Sequence, residues 1–392
     1  MEKTINECFF QIQNGANIKQ GDVEGGFPIT RIETTANDKF NRDRMGYAGI
    51  TDISKYEAYV LEDGDLLMSH INSVQYLGRT VLYVKQPDET IIHGMNLLRL
   101  KARRNIINPS YARYCFYGHT FRCRIGNITK KSVNQASFAV KDLKQIKIEV
   151  PSLDVQNKVV VILDRVQKLI DMRNKELATL DELIKARFVE MFGDPELNPM
   201  GWEQVTLNDV CSSIVRGPFG SALKKEFFVE PDETTYKVYE QKHAIQKSAS
   251  IGTYYITEEK YQELKRFECL PGDILMSCSG TMGELYQLPD GCEKGVINQA
   301  LCKFTLNERI LPICFLVYMK QTIGNLETKG SGIQNIAAVS YVKQMPINLP
   351  PMDVQNEFEQ FVHQVDKSKV AVQKALDEAQ QLFDSLMQEY FG

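Results

Sequence analysis

Residues 154–192 and 353–391 each run without a single proline or glycine. Each stretch is entered through nearly the same octapeptide, `VPSLDVQN` at 150–157 and `LPPMDVQN` at 349–356. In the first, Val155, Val159, Ile162, Val166 and Leu169 step by alternating fours and threes. Leu177, Leu180, Ile184, Phe188 and Met191 continue after a phase shift. In the second the apolar positions are Val354, Phe358, Phe361, Val365, Val372, Ala379, Leu386 and Tyr390. This spacing predicts two amphipathic helices with heptad character. Asp154 and Asp353 fall at the N-cap region, and Gly193 and Gly392 stand where helices commonly stop. At 1.5 Å per residue each rod is about 57 Å long. An amphipathic rod cannot leave its apolar stripe in water. Mutual pairing is the economical solution, with Val159, Ile162 and Val166 of the first helix and Phe358, Phe361 and Val365 of the second as the seam.

The duplication extends upstream at the same offset. Ser132 meets Ser331, Gln135 meets Gln334, Ala139-Val140 meets Ala338-Val339, Lys144-Gln145 meets Lys343-Gln344, and Ile148 meets Ile347. At a different offset `GDLLMS` (64–69) echoes `GDILMS` (272–277). A period this long means duplicated domains, because solenoid repeats run about 20–50 residues.

The upstream parts read as mixed α/β. `RTVLYVKQ` (79–86) and `ALCKFTL` (300–306) have strand composition, while `PSYARYCFYG` (109–118) and `LPICFLVYMKQ` (311–321) look like short helices. The segment `GDPELNPMGWEQVTL` (193–207), rich in proline and glycine, marks the passage to the second globule. The expected architecture is α+β: globules at 1–150 and 194–349, separated and joined by two long antiparallel coiled-coil helices at 151–193 and 350–392, as a pseudo-twofold tandem repeat.

Composition narrows the function classes. No apolar run reaches the roughly 18–20 residues of a membrane span, and `MEKTINECFF` has no signal-peptide core, so a cytoplasmic location is expected. The nine cysteines form no CxxC pair and read as reduced structural thiols. The net charge of -4 argues against nonspecific condensation on nucleic acid. It conceals an asymmetry: residues 1–149 carry 21 Lys+Arg against 16 Asp+Glu, whereas residues 350–392 carry 3 against 8. The first globule suits a polyanion; the last helix suits a basic protein surface or water.

Catalytic signatures are missing. `LPPM` lacks the acidic or amide residue and the aromatic that flank the two prolines in adenine methyltransferases. There is no G-x-G-x-x-G, no G-x-x-x-x-G-K-[ST] and no H-E-x-x-H. `SALK` (221–224) and `SYVK` (340–343) match S-x-x-K without its companion K-T-G. His93 and His243 read as structural. No cofactor and no metal are expected.

The two `DVQN` helix starts, the junction `MFGDPELNPMGWEQVTLNDV` (191–210) and `GSGIQNI` (330–336) leading into `VKQMPINLPP` (342–351) resemble the DNA-specificity subunit of type I restriction–modification systems. The likeness covers essentially the whole chain. It departs at Ser152, where the second copy has Pro351, and at the first globule, which shows no `GWExVxLxDV`-like start. The resemblance implies a noncatalytic subunit that binds double-stranded DNA, each globule being a target-recognition domain for one half of a bipartite sequence. The helices then act as a ruler and carry DNA adenine methyltransferase subunits, two by the symmetry of the chain, with ATP-dependent restriction subunits as further partners. A coiled-coil assembly scaffold without DNA readout is the alternative from another class.

Arg and Lys fork onto guanine, and Asn and Gln onto adenine. The candidate DNA contacts in the first globule are Arg31, Asn72, Arg103, Arg104, Arg122, Arg124, Lys130, Lys131 and Gln135. In the second they are Arg216, Lys224, Lys242, Ser279, Thr281, Ser331, Gln334 and Asn335.

Overall fold

A computed structural model describes residues 1–21, 25–132, 135–323, 328–329, 335–336 and 339–392. It forms two compact units, Met1–Lys175 with Gln373–Gly392, and Glu176–Val372. The long helices are Leu153–Phe192 and Met352–Phe391, so each contributes one part to each unit.

The two units are built on one frame. In the first, an antiparallel sheet orders Phe9–Asn14, Leu97–Ala102, Leu66–Ser69 and Thr80–Leu82. In the second the order is Cys211–Arg216, Leu301–Leu306, Ile274–Ser277 and Leu285–Gln287. Both first strands carry an irregularity at the same place, between Phe9 and Gln11 and between Cys211 and Ser213. The strands `LLMS` and `ILMS` are buried on both faces, which is why they read as continuous apolar runs. Leu66 and Met68 enter one core while Leu67 enters another; Ile274 and Met276 are likewise divided from Leu275.

The `GD` before each of these strands has a physical role. Gly64 and Gly272 sit at φ +88° and +87°, in the left-handed region. The following aspartate turns back to accept from the chain: Glu62 N–H donates to Asp65 at 2.8 Å and Leu270 N–H to Asp273 at 2.9 Å. Each carboxylate is buried beside a cation of the neighbouring strand, Asp65 with Arg99 at 3.9 Å and Asp273 with Lys303 at 3.2 Å.

One expectation is corrected here. The first globule does possess the lead-in that its spelling hid. Glu2–Thr4 pairs with Lys147–Glu149 as Glu203–Thr206 pairs with Pro346–Leu349. The one-turn helices that follow, Ile5–Cys8 and Leu207–Val210, each open with a capping box, Thr4 with Glu7 and Thr206 with Asp209. `KTINEC` and `VTLNDV` are the same device in different residues.

The repeated octapeptide is explained by its glutamines. Gln156 is fully buried; its amide donates to Ile106 O at 2.9 Å and Pro151 O at 2.8 Å and accepts from Asn108 N–H at 2.8 Å. Gln355 repeats this with Arg309 O at 3.0 Å, Pro350 O at 2.9 Å and Leu311 N–H at 2.8 Å. Asn108 and Leu311 are the N-cap residues of the short helices Pro109–Tyr117 and Pro312–Thr322. Each glutamine therefore clips the start of a long helix to the start of a short one. Asp154 and Asp353 lie within the first turn rather than at the cap, where their charge still meets the positive helix end.

Within the first unit Phe391 packs on Tyr111 and Phe383 on Tyr114, beside Val159, Val160 and Leu163. Within the second, Phe358 meets Phe188 and Phe192 edge-on at 5.6 and 5.1 Å. The ion pairs Arg187–Glu357 at 2.8 Å and Lys369–Asp181 at 2.7 Å show the two helical segments of that unit running antiparallel. The apolar stripe of the first helix is corrected by one residue. Val159 and Val166 are buried, but Ile162 is 38% exposed, and Leu163 takes the inward place. Val155 and Leu169 also face outward, whereas Gln156 and Ile170 face inward. The glutamine clip fixes the rotation of the helix, and 3.6 residues per turn carries that phase onward. On the second helix Phe358 and Val365 are buried, while Phe361 is half-buried beneath the Arg187 guanidinium, 5.6 Å from its ring.

His93 and His243 lie wholly inside. The His93 Nε2–H donates to Leu97 O at 2.8 Å. Burial, reinforced by nearby Arg99, pushes its pKa down to about 3. The unfolded chain protonates this ring near pH 6.5 while the folded chain does not, so stability falls as pH drops below about 6.5. Stability at pH 5 is expected to be about 2 kcal/mol lower than at pH 7 from this residue alone, at about 1.4 kcal/mol per pH unit. Urea titrations of the chain and of His93→Gln at both pH values check this; the variant loses that share of the pH dependence.

The cysteines are free thiols; Cys123 is exposed, Cys292 intermediate and the rest buried. No helix among the described residues is long and apolar enough to cross a membrane.

Candidate nucleic-acid interface

The first unit gathers three of the candidate residues on one small sheet and a fourth beside it. Ile71–Asn72 pairs with Ala136–Ser137, which pairs in turn with Lys130–Lys131. Asn72, Ala136 and Lys131 lie in register across the three strands, as do Ile71, Ser137 and Lys130. At about 4.8 Å per strand, a file of three spans about 10 Å, a width that suits a DNA groove. Lys130 and Lys131 are exposed and have no carboxylate partner among the described residues. Gln135 is exposed next to this sheet, its backbone O accepting from the Ser132 hydroxyl. Asn72 uses its side chain locally, donating to the Ser69 hydroxyl and accepting from Ser73 N–H. Just beyond it Val74 and Tyr76 are exposed, at 52% and 37%. They were not among the candidates, although two apolar residues in the polar run `INSVQY` were a visible signal.

Several of the arginines hydrogen-bond carbonyls of their own unit while staying partly or largely exposed. Arg31 donates to Gln20 Oε1 at 2.9 Å and Gly21 O at 2.7 Å. Arg122 donates to Leu77 O at 2.7 Å and Gln75 O at 3.1 Å. Arg124 binds Lys147 O and, at 3.0 Å, Glu2. Arg104 binds Asp63 O and lies over Gly64. A guanidinium satisfies carbonyls as readily as bases, and sequence cannot tell which it faces. Arg103 is exposed, its backbone N–H donating to Cys8 O.

In the second unit Arg216 reaches Gln299 O at 3.4 Å. Lys224 is exposed near Glu226 at 3.6 Å, and Lys242 pairs with Glu240 at 2.6 Å beside the Tyr254 ring. Ser279 and Thr281 lie together in one loop whose carbonyls are both held by the Gln241 amide. Asn335 is in the strand Asn335–Ile336, paired with Thr328–Lys329. Ser331 and Gln334 lie outside the described residues. Among the described residues no group of three or more His, Cys, Asp or Glu could hold a metal.

The sequence profile of the family described as the type I restriction modification DNA specificity domain matches twice, over residues 2–182 and 199–379. The chain belongs to this family. It is a specificity subunit with two tandem specificity domains, and such a subunit directs partner enzyme subunits rather than performing the reaction. The subunit is 28% identical over 400 residues to a Methanocaldococcus jannaschii protein assigned as the MjaX specificity subunit of a type I restriction enzyme, covering 95% of this chain and 90% of that one. It is 22% identical over 187 residues to the EcoKI specificity subunit of Escherichia coli K12, covering 46% of this chain and 40% of the relative. Among solved structures, the type I restriction–modification S subunit of M. genitalium matches with TM-score 0.54 at 13% identity, covering 100% of this chain and 96% of the other. A chain from a structure of type I R-M system assembly matches with TM-score 0.61 at 16% identity, covering 100% and 97%. The specificity subunit thus shares its fold with these chains.

Proposed function

We propose that the specificity subunit reads a bipartite DNA target, residues 1–150 recognising one half and residues 194–349 the other, in the cytoplasm of its host. The helical segments 151–193 and 350–392, paired as a coiled coil, set the spacing between half-sites and dock two DNA adenine methyltransferase subunits. An ATP-dependent restriction subunit joins the complex. The observation that carries this reading is the twin frame: one sheet order, one strand irregularity, one capping box and one glutamine clip, each present twice. A chain that repeats its scaffold so closely while varying its polar surface suits two readers of unlike sequence. Asn72, Lys130, Lys131 and Gln135 form the DNA-facing group of the first unit, the lysines toward phosphates and the amides toward base edges. Lys224, Ser279, Thr281, Ser331, Gln334 and Asn335 form that of the second.

The outward stripe Val155, Ile162, Leu169 and Met172 on the first helix supports a docking role. Ile162→Lys with Leu169→Lys is expected to lower co-purification of a methyltransferase subunit at least tenfold with the melting midpoint unchanged. Undiminished co-purification would remove this face from the docking surface. Methylation-site sequencing in cells carrying the chain and its methyltransferase gene tests the whole reading. It should return a split motif with a fixed spacer, and a motif without two separated halves contradicts it.

A further inference from the structure

The two `GD[IL]LMS` strands end in loops that are closed identically. In the first unit Gly78 N–H donates to Ser69 O and Ser69 N–H to Arg79 O, both at 2.8 Å. In the second Gly283 N–H donates to Ser277 O and Ser277 N–H to Glu284 O, both at 2.9 Å. Both glycines need the left-handed region, at φ +74° and +80°. Between these identical clasps the chain differs in length and chemistry: `HINSVQYL` (70–77) in one unit, `CSGTM` (278–282) in the other. A constant clasp around an unlike loop is what two readers with different targets require.

A second feature recurs in both. A side chain from outside the frame grips two alternate carbonyls of the loop. Arg122 donates to Gln75 O and Leu77 O. The Gln241 amide donates to Ser279 O and, at 3.2 Å, to Thr281 O. The gripping residues come from different places, the helices His119–Ile128 and Gln241–Gln246, so the arrangement is not inherited from the duplicated frame. His70, Leu77 and Cys278 bury the loop ends, whereas residues 73–76 and Thr281 are exposed, so the exposed middle of each loop is held by hydrogen bonds: the grip and, in the second, the Ser277 hydroxyl donating to Thr281 O at 2.7 Å. The loop of the first unit continues from the strand Ile71–Asn72, two strands from exposed Lys130 and Lys131, which puts cationic anchors for a phosphate backbone beside it.

We propose that loops 70–77 and 278–282 are the elements that make the two units prefer different half-sites, and that Arg122 and Gln241 are the positioning residues that fix each loop for its base edges. This rests on the DNA-reading function proposed above. In the first loop Val74 and Tyr76 supply apolar contact of the kind that distinguishes the thymine methyl group. Losing the grip leaves the contacts present but unfixed, so the loop must be ordered on binding and the preference it confers weakens.

The test is methylation-site sequencing in cells expressing the chain with its methyltransferase gene, together with melting of the purified complexes. Val74→Ser with Tyr76→Ser is expected to change the preference at one or two positions of a single half-site. Arg122→Ala is expected to relax those same positions about tenfold, the size of one good base contact, with the spacer and the other half-site unchanged. Arg122→Lys keeps one of the two carbonyl bonds and should relax them less; if the alanine variant does not accumulate, the lysine variant decides by the same readout. Gln241→Ala and Thr281→Val should do the same to the opposite half-site only. A folded Arg122→Ala complex with the parental preference overturns the positioning role. Parental preference in Val74→Ser with Tyr76→Ser overturns the loop as reader while the split-motif reading stands. Absence of any split motif in the parental cells fails the proposed function itself.

Discussion

Gln156→Leu and Gln355→Leu are each expected to destabilise the unit that carries them by about 2–4 kcal/mol, since each strands three mostly part-buried backbone groups, for which the penalty of about 1–3 kcal/mol apiece is eased where water reaches them. The leucine fills similar volume, so the loss comes from hydrogen bonds and not from a cavity. In the first case Asn108 N–H, Ile106 O and Pro151 O lose their partner. In the second they are Leu311 N–H, Arg309 O and Pro350 O. Glutamate should not rescue either site. It keeps the acceptor for the N–H but sets a carboxylate against two carbonyls where an NH₂ stood. Urea unfolding of both variants checks this, and tolerance of Glu at either position would refute the clip. The two glutamines share no partner, so the double variant should show two separate losses rather than one larger cooperative one.

Lys303→Met is expected to cost about 3–5 kcal/mol, because it leaves a buried carboxylate without its counter-charge. Asp273 is 3% exposed and Lys303 8% exposed. Their atoms stand 3.2 Å apart, with Thr305 Oγ1 and Leu270 N–H also donating to Asp273. Adding Asp273→Asn should recover a large part of the loss, since the asparagine retains an acceptor for Leu270 N–H and carries no charge to desolvate. A double variant as unstable as Lys303→Met alone would show that the lysine acts through packing of its stem. The corresponding Arg99 of the first unit is tied differently, donating to Val60 O at 2.9 Å and Ala58 O at 2.6 Å. Arg99→Lys should therefore be disruptive there, because one ammonium cannot reproduce the fork.

Much of the duplication was legible in residue order. The long helices announce themselves because an uninterrupted 3.6-residue period survives in any context, and `DVQN` and `GD[IL]LMS` recur because each performs a backbone-satisfying task that few other residues can do. The start of the first globule was less legible: a strand and a capping box tolerate many spellings, so `KTINEC` hid its kinship with `VTLNDV` until the pairing Glu2–Thr4 with Lys147–Glu149 was visible. The phase of the first helix is hidden in the sequence for a related reason. Val155, Ile162 and Leu169 make as good a stripe as Gln156, Val160, Leu163 and Ile170, and one polar residue at the head of the second decided the matter by being bonded inside.

The candidate DNA residues show where residue type alone stops. Sequence determined that arginines, lysines and amides abound in the first globule and that two copies of one scaffold exist. Only the tertiary structure decided that Arg31, Arg122 and Arg124 grip carbonyls while Lys130 and Lys131 are exposed with no carboxylate partner among the described residues. Periodicity is a local property, written into neighbours three and four residues apart. The partner of a guanidinium is a contact across 45 residues, as between Arg122 and Leu77, and is set by how the sheet and helices close.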